Sequence, residues 1–217
     1  MFSLLPENDT PQALRIRRFL IAAYSYLMWM ALITYCHYQG FMRLSTGWII
    51  KELAIHDDLT RAFNRRHLFE EPRRHKALAD RDGYVFSIAL FDLDHFKHTN
   101  DTYGHLKGDD ILKHLIQAVK HEIREVDCLA RYGGEEFIVI MPNTDITGAE
   151  ECSQRIKKTA EKLKHPGFPE SFNITISTGV TIYQPVESIE QAIARADNAL
   201  YRAKSHGRNQ VAAEHPA

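Results

Sequence analysis

The chain has 217 residues, 44% of them hydrophobic and 25% charged, with a formal net charge of −1. That balance excludes a disordered chain, and it leaves no global field to attract nucleic acid or an anionic membrane surface, so any anion binding has to be local. Three widely spaced cysteines, Cys36, Cys128 and Cys152, form neither a zinc pattern nor a disulfide framework, which favours a reducing compartment.

The chain opens on a polar and basic tail, residues 1–18. Residues 1–12 carry two prolines and read as unstructured, and Arg15, Arg17 and Arg18 follow. From Phe19 to Gln39 there is no Asp, Glu, Lys or Arg over 21 residues. As a helix this run is about 31 Å long, the thickness of a bilayer core, so residues 19–42 are expected to form a transmembrane or otherwise hydrophobic helix. Tyr24, Tyr26, Trp29, Tyr35 and Tyr38 are spread along it and make no clean belts at its ends. The stretch is too long for a signal peptide, and no small-residue cleavage site follows. Gly40 to Gly47 interrupts the pattern. Residues 43–56 then read as a linker helix, whose Trp48, Ile49, Ile50, Leu53 and Ala54 offer a short apolar face to a second copy.

From Asp57 the chain is soluble in character. Asp57-Asp58-Leu59-Thr60 is a turn and capping cluster ahead of a helix starting near Asn64-Arg65-Arg66, which Pro72 should end. Tyr84 to Asp92 is an apolar run of strand length suited to a central strand covered on both faces. Asp92-Leu93-Asp94 ends it, and carboxylates at a buried strand end are costly unless solvated, paired or holding a cation. His95 and His98 share helical spacing but read as surface residues. Asp109 opens an amphipathic helix that closes near Arg124, with Ile111, Leu112, Leu115, Ile116, Val119 and Ile123 as its core face. Strands from Cys128 to Tyr132 and Phe137 to Met141 flank Gly133-Gly134, a tight hairpin in which both glycines are free to take positive φ. Glu135 and Glu136 follow on alternating faces, as natural partners for Asp92 and Asp94. A helix from Ile146 to Leu163, a strand from Phe172 to Tyr183 and a helix from Ile189 to Ser205 complete the pattern. The order gives an α/β (α+β) domain with helices packed on a mainly antiparallel sheet.

Carboxylates on neighbouring strand ends suit hard divalent cations. Mg2+ keeps waters and substrate phosphates in its shell, and two such ions can clamp the attacking and leaving oxygens of a phosphoryl or nucleotidyl transfer. Lys97, Lys204 and Arg208 would supply charge for phosphates, and Asn100 with Asp109 has the donor and acceptor set to read a base edge. Taken singly, each residue also fits a solvated surface group or a helix cap.

In combination the motifs DDLTRAFNRR, FDLDHFKHTNDTYGHLKGDD, REVDCLARYGGEEF and ADNALYRAKSHGRN closely resemble the GGDEF domain of diguanylate cyclases over residues 57–212, with 213–217 as a tail. The resemblance implies a five-stranded sheet flanked by helices, similar to polymerase palms and nucleotidyl cyclases. It implies condensation of two GTP into cyclic di-GMP across a homodimer, with two Mg2+ per active site and Mn2+ as a substitute. By the same resemblance Asp92, the Leu93 carbonyl, Glu135 and Glu136 are metal ligands, Glu135 is the proton acceptor and Lys97 stabilises the transition state. Asn100, Asp109 and nearby His105 address guanine, and Lys204 and Arg208 the triphosphate. Arg124 and Asp127, an RxxD pair five residues before Gly133, match an inhibitory site for the cyclic di-GMP product. Arg61 and Pro72 depart from the family pattern. Two other readings are a catalytically silent GTP- or cyclic di-GMP-binding regulator and a cyclase using ATP; the intact motifs argue against the first and Asp109 against the second. No nucleic-acid partner is expected. The expected place is the bacterial inner membrane, held through Phe19 to Gln39, with the cyclase domain cytoplasmic. The three arginines before Phe19 favour a cytoplasmic amino terminus, which for a single span puts the domain outside. A shortened relative of a multi-span sensor is the expectation that resolves this conflict.

Overall fold

The computed structural model describes residues 11–70 and 72–215. The chain divides into two compact units between Glu52 and Leu53. The first is built on one helix, α1 (Pro11–Ile55). Its segment Leu14–Gln39, with a mean hydropathy of 1.6, is long and apolar enough to cross a membrane by length and composition. The helix starts inside the expected tail and runs on through Gly40–Gly47. A lone glycine costs a helix only about 1 kcal/mol, too little to stop it between good helix formers. Residues 1–10 and the side chains from Trp48 to Ala54, including the apolar face expected of the linker, lie outside the described residues.

The second unit is a five-stranded sheet flanked by helices. Its elements are α2 (Arg65–Glu70), α3 (Pro72–Asp82), β1 (Phe86–Leu93), α4 (Phe96–Tyr103), α5 (His105–Glu122), β2 (Cys128–Gly133), β3 (Glu136–Pro142), α6 (Ile146–Lys162), β4 (Ile176–Ile182), α7 (Ile189–Ser205) and β5 (Val211–Glu214). The strand order is β2-β3-β1-β4-β5. All neighbours are antiparallel except β4 and β5, which are parallel.

Central strand β1 is buried throughout, as its unbroken apolar run requires. Ala89, Phe91 and Leu93 pack with Phe137, Val139 and Met141 against Ile111, Leu115 and Ile116 of α5 and Ile156 of α6. Phe86, Ile88 and Leu90 pack on the opposite face with Ile138 and Ile140 against Ile193, Ala196 and Leu200 of α7. The period of two therefore decides which helix each residue at the strand ends meets. The flanking helices start where their caps stand. Asp145 accepts from the Gly148 amide at the head of α6, and Ser188 forms a capping box with Gln191 at the head of α7.

Several elements differ from expectation. Pro72 ends one helix and begins another, α3, because a first-turn proline gives up no hydrogen bond. The polar stretch after Asp94 is helix α4, which buries only Phe96 and Thr99 and so shows no apolar period. Asp109 does not open α5, which starts four residues earlier at His105. β5 continues the sheet to Glu214, into the segment expected to be tail.

Candidate active site

The hairpin between β2 and β3 turns on Gly134 and Glu135, with Gly133 paired to Glu136. Neither glycine takes a positive φ, contrary to expectation. A register shift between Arg131 and Gly133 replaces the tight two-glycine turn. A Cβ on Gly133 would lie 3.1 Å from a Glu136 carboxylate oxygen, so the glycine there gives that side chain room. Glu135 sits in the turn, while Glu136 begins β3 and stands opposite Asp92 of β1. Both belong to the even-numbered set that faces α7.

Lys204, in the last turn of α7, meets them there: its Nζ is 3.0 Å from Asp92 Oδ1. Expected as a phosphate contact, Lys204 is in this structure the counter-ion of Asp92. Asp92 is only 8% exposed, and burial pushes its carboxyl up to about 6. The Lys204 ammonium opposes that rise, while the nearby Glu135 and Glu136 carboxylates add to it.

Arg131 holds the turn from below. Its Nε and Nη2 donate to the Gly134 carbonyl at 3.0 and 2.7 Å, and Nη1 lies 3.1 Å from both Asp57 oxygens. Asp57 also accepts from the Thr60 amide and hydroxyl. The segment after α1 is thus fastened to the acidic turn. Sequence reading missed this clamp, because 74 residues separate its partners.

Asp94 is not a partner of the two glutamates. It is 5% exposed and accepts from Thr175 Oγ1 and Ser177 Oγ, both at 2.7 Å, and from the Asn209 amide at 3.0 Å. Its charge is satisfied by the β4 edge and by the turn after α7. That turn carries Arg208, exposed and in left-handed backbone at φ 61°. Asp94 therefore ties Arg208 to the strand end that bears Asp92.

α4 carries Lys97, exposed in its first turn, and Asn100. Asn100 Oδ1 is buried with no donor, and a Cβ at Gly108 would stand 1.9 Å from it. Gly108 lets α4 and α5 close at this point, which brings Asn100 beside the segment bearing Asp109. A buried acceptor without a donor calls for an explanation, and a bound base edge would supply one. His105 is exposed at the head of α5.

Arg124 and Asp127 lie apart from this set, in the turn between α5 and β2. They form no ion pair. Asp127 accepts from the backbone amide of Arg124 at 2.8 Å, and the Asp127 amide donates back to the Arg124 carbonyl at 3.0 Å. Asp127 Oδ1 is buried without a partner, and burial raises the carboxyl's pKa. Among the described residues the Arg124 guanidinium makes no ion pair, and the turn rests on the Arg124 backbone and Asp127.

Among the described residues no three His, Cys, Asp or Glu side chains close into a metal cage. The donors at the strand ends fit an open site for a hard divalent cation. Asp92 is a buried carboxylate crowded by Glu135 and Glu136, and Lys204 alone offsets it. A cation held there relieves the same penalty. A pH dependence follows. The folded-state pKa of Asp92 lies above its unfolded value, so its contribution to stability is full at acid pH and is lost as pH rises through about 6. A divalent cation should therefore raise Tm clearly at pH 7.5, an effect worth about 1–3 kcal/mol, and little at pH 5. Equal shifts at both pH values would place the cation elsewhere.

Comparisons with known proteins bear on the family and the fold. The family model described as diguanylate cyclase, GGDEF domain, matches residues 54–210. The chain is 39% identical over 166 residues to diguanylate cyclase DgcM of Escherichia coli K12, covering 76% of this chain and 39% of that protein. It is 37% identical over 161 residues to DgcP of Pseudomonas aeruginosa, covering 74% and 24%. The matched part thus spans well under half the length of these relatives. Among solved structures, the coiled coil and GGDEF domain of DgcB from Caulobacter crescentus in complex with c-di-GMP superposes with a TM-score of 0.75. The identity is 32%, over 81% of this chain and 94% of that one. SiaD in complex with its activator SiaC from Pseudomonas aeruginosa superposes at 0.73, with 34% identity over 94% and 77%.

Proposed function

The chain belongs to the GGDEF family of diguanylate cyclases, and we propose that it condenses two GTP into cyclic di-GMP with release of two pyrophosphates. The observation that carries this reading is the pairing of Asp92 with Glu136 beside the Glu135 turn, on the sheet face that also receives Lys204. Each domain holds one GTP, and two domains of a homodimer face each other. The 3′-OH of one nucleotide then attacks the α-phosphate of the other.

Asp92, the Leu93 carbonyl, Glu135 and Glu136 would hold the divalent cations, two per site, Mg2+ or Mn2+. Such ions neutralise phosphate charge and acidify the attacking hydroxyl. Glu135 accepts the 3′-OH proton from its place on the turn, which Arg131 keeps in position. Lys97 stabilises charge that develops on the phosphate. Lys204, which contacts Asp92 at the end of α7, would with Arg208 supply positive charge to the leaving pyrophosphate. Asn100 and Asp109, with His105 at the rim, read guanine. A carboxylate accepts from the N1–H and N2–H donors of guanine, which adenine does not offer.

Base choice tests the site. The chain should use GTP and not ATP, and Asp109→Ser should narrow that preference by about tenfold or more, because a site built on buried polar readers rejects the wrong base. Equal turnover of ATP and GTP by the unaltered chain contradicts the assignment. A second test concerns Arg124 and Asp127, which we assign to the cyclic di-GMP product as a feedback site. Arg124→Ala keeps the turn, since that rests on backbone and Asp127. Its initial rate should stay within twofold or so, while inhibition by added product is lost. Inhibition that persists unchanged returns the pair to a structural turn.

The cyclase unit works where GTP is, in the bacterial cytoplasm, and α1 anchors it through Phe19–Gln39 to the inner membrane. Labelling of intact cells tests this: a cyclase unit accessible from outside contradicts the proposal.

A further inference from the structure

Arg61 stands where the backbone asks for glycine. Its φ is 57°, in the left-handed region that side chains seldom occupy. The conformation is held at both ends: the Arg61 amide donates to the Asp57 carbonyl at 2.9 Å, and Lys120 Nζ donates to the Arg61 carbonyl at 2.9 Å. Residues kept in such backbone against their preference gather at functional sites. Arg61 lines a cleft of about 370 Å3 together with Phe63, Lys120, Arg124, Glu125 and Asp127. That volume falls in the range of small-ligand sites and suits one nucleotide half.

The cleft sets three cationic residues, Arg61, Lys120 and Arg124, against two acidic ones, Glu125 and Asp127. Among the described residues, neither Arg61, Lys120 nor Arg124 has a carboxylate within ion-pair distance. Burial holds the Lys120 ammonium below its ordinary pKa, as expected of a cation without a counter-ion. Asp127 Oδ1 is buried and lacks a donor. Phe63 and Ile123 supply apolar surface between these groups. Such a set fits a ligand that carries a phosphodiester, N–H donors and a flat apolar ring.

We infer that Arg61 is a phosphate ligand of this cleft, clamping with Arg124 the phosphodiester of one guanylyl half of cyclic di-GMP. The inference rests on the assignment of Arg124 and Asp127 to the product, and it adds a residue and a conformation to that site. Lys120 plays the supporting part. By holding the Arg61 carbonyl it keeps the left-handed turn, and it adds positive charge behind the phosphate. A guanidinium meets a phosphate with two parallel hydrogen bonds, a geometry that a lone lysine does not reproduce.

The strained backbone makes the test selective, because ligand binding and stability should respond in opposite directions. Cyclic di-GMP binding would be measured by titration calorimetry on the full chain in detergent, with Tm recorded for each variant. Arg61→Gly should raise Tm, since glycine takes this φ freely, and should weaken binding roughly tenfold or more, as loss of a charge-assisted hydrogen bond does. Arg61→Lys should recover part of the affinity. Affinity in Arg61→Gly equal to the unaltered chain, with binding lost in Arg124→Ala, overturns the role of Arg61 and leaves the product site in place. Unchanged binding in Arg124→Ala overturns the site itself. A fall in Tm for Arg61→Gly assigns the residue to the fold and overturns the inference too.

Discussion

Glu135→Gln abolishes cyclic di-GMP formation, by about 10³-fold or more, in a protein that folds as before. Glu135 lies on the turn and makes no hydrogen bond or ion pair among the described residues, so the isosteric amide disturbs no contact. The substitution removes a charge that helps push Asp92 upward, and Tm should stay level or rise slightly. What is lost is chemical: a proton acceptor alone contributes about 10²–10⁴-fold, and a charged ligand for the cation goes with it. Lost activity with Tm held or raised identifies a group kept for chemistry at some expense to stability. Retained activity in the variant removes Glu135 from the mechanism.

The second large effect is on the fold, at a residue that carries no chemistry. Gly179 lies in β4, and α7 rests directly on it. A Cβ there would stand 2.0 Å from the Ala196 carbonyl oxygen, 2.3 Å from the Leu200 amide nitrogen and 2.9 Å from the Leu200 Cα. All three are helix backbone and cannot rotate away. Gly179→Ala therefore forces α7 off the sheet, and overpacking of this kind costs about 3 kcal/mol or more, roughly 10 °C in Tm. The helix that moves carries Lys204, so the contact with Asp92 should fail as well. Cation-induced stabilisation of any folded remnant should weaken in step. A variant with unchanged Tm would show that α7 sits farther from β4.

Gly179 also marks a limit of reading the sequence. It lies within a run of β-branched residues that alternates well enough to predict the strand. Nothing in that run tells that a helix backbone lies against one position. What was legible were the elements whose apolar period is strong: the central strand to Asp92, the helices over 146–163 and 189–205, and both hairpin strands. α4 escaped because only two of its side chains enter the core, and β5 because its four residues are half-buried and borrow their pairing from β4. The sequence offers the candidate residues as a set, and the structure supplies their arrangement. Strand ends and alternation set Asp92 and Asp94 together beside Glu135 and Glu136, and the sheet pairs only Asp92 with Glu136. The separate duty of Asp94 could not be read from the sequence, since it depends on Thr175, Ser177 and Asn209, far away in the chain. Nor could the Asp57–Arg131 clamp, or the loan of Lys204 to Asp92. Arg61 was visible as a departure from the family pattern, and only its φ and its cleft give that departure a physical meaning.

These details converge on one chemical outcome. The purified 217-residue chain in detergent, incubated with GTP and Mg2+, should yield a product with the mass of cyclic di-GMP and two equivalents of pyrophosphate. Formation should depend on the divalent cation and rise more than linearly with enzyme concentration in the range where two domains must meet. A chain that binds GTP or cyclic di-GMP yet releases no pyrophosphate and forms no cyclic dinucleotide would contradict the account, leaving the acidic turn as a binding element without catalysis.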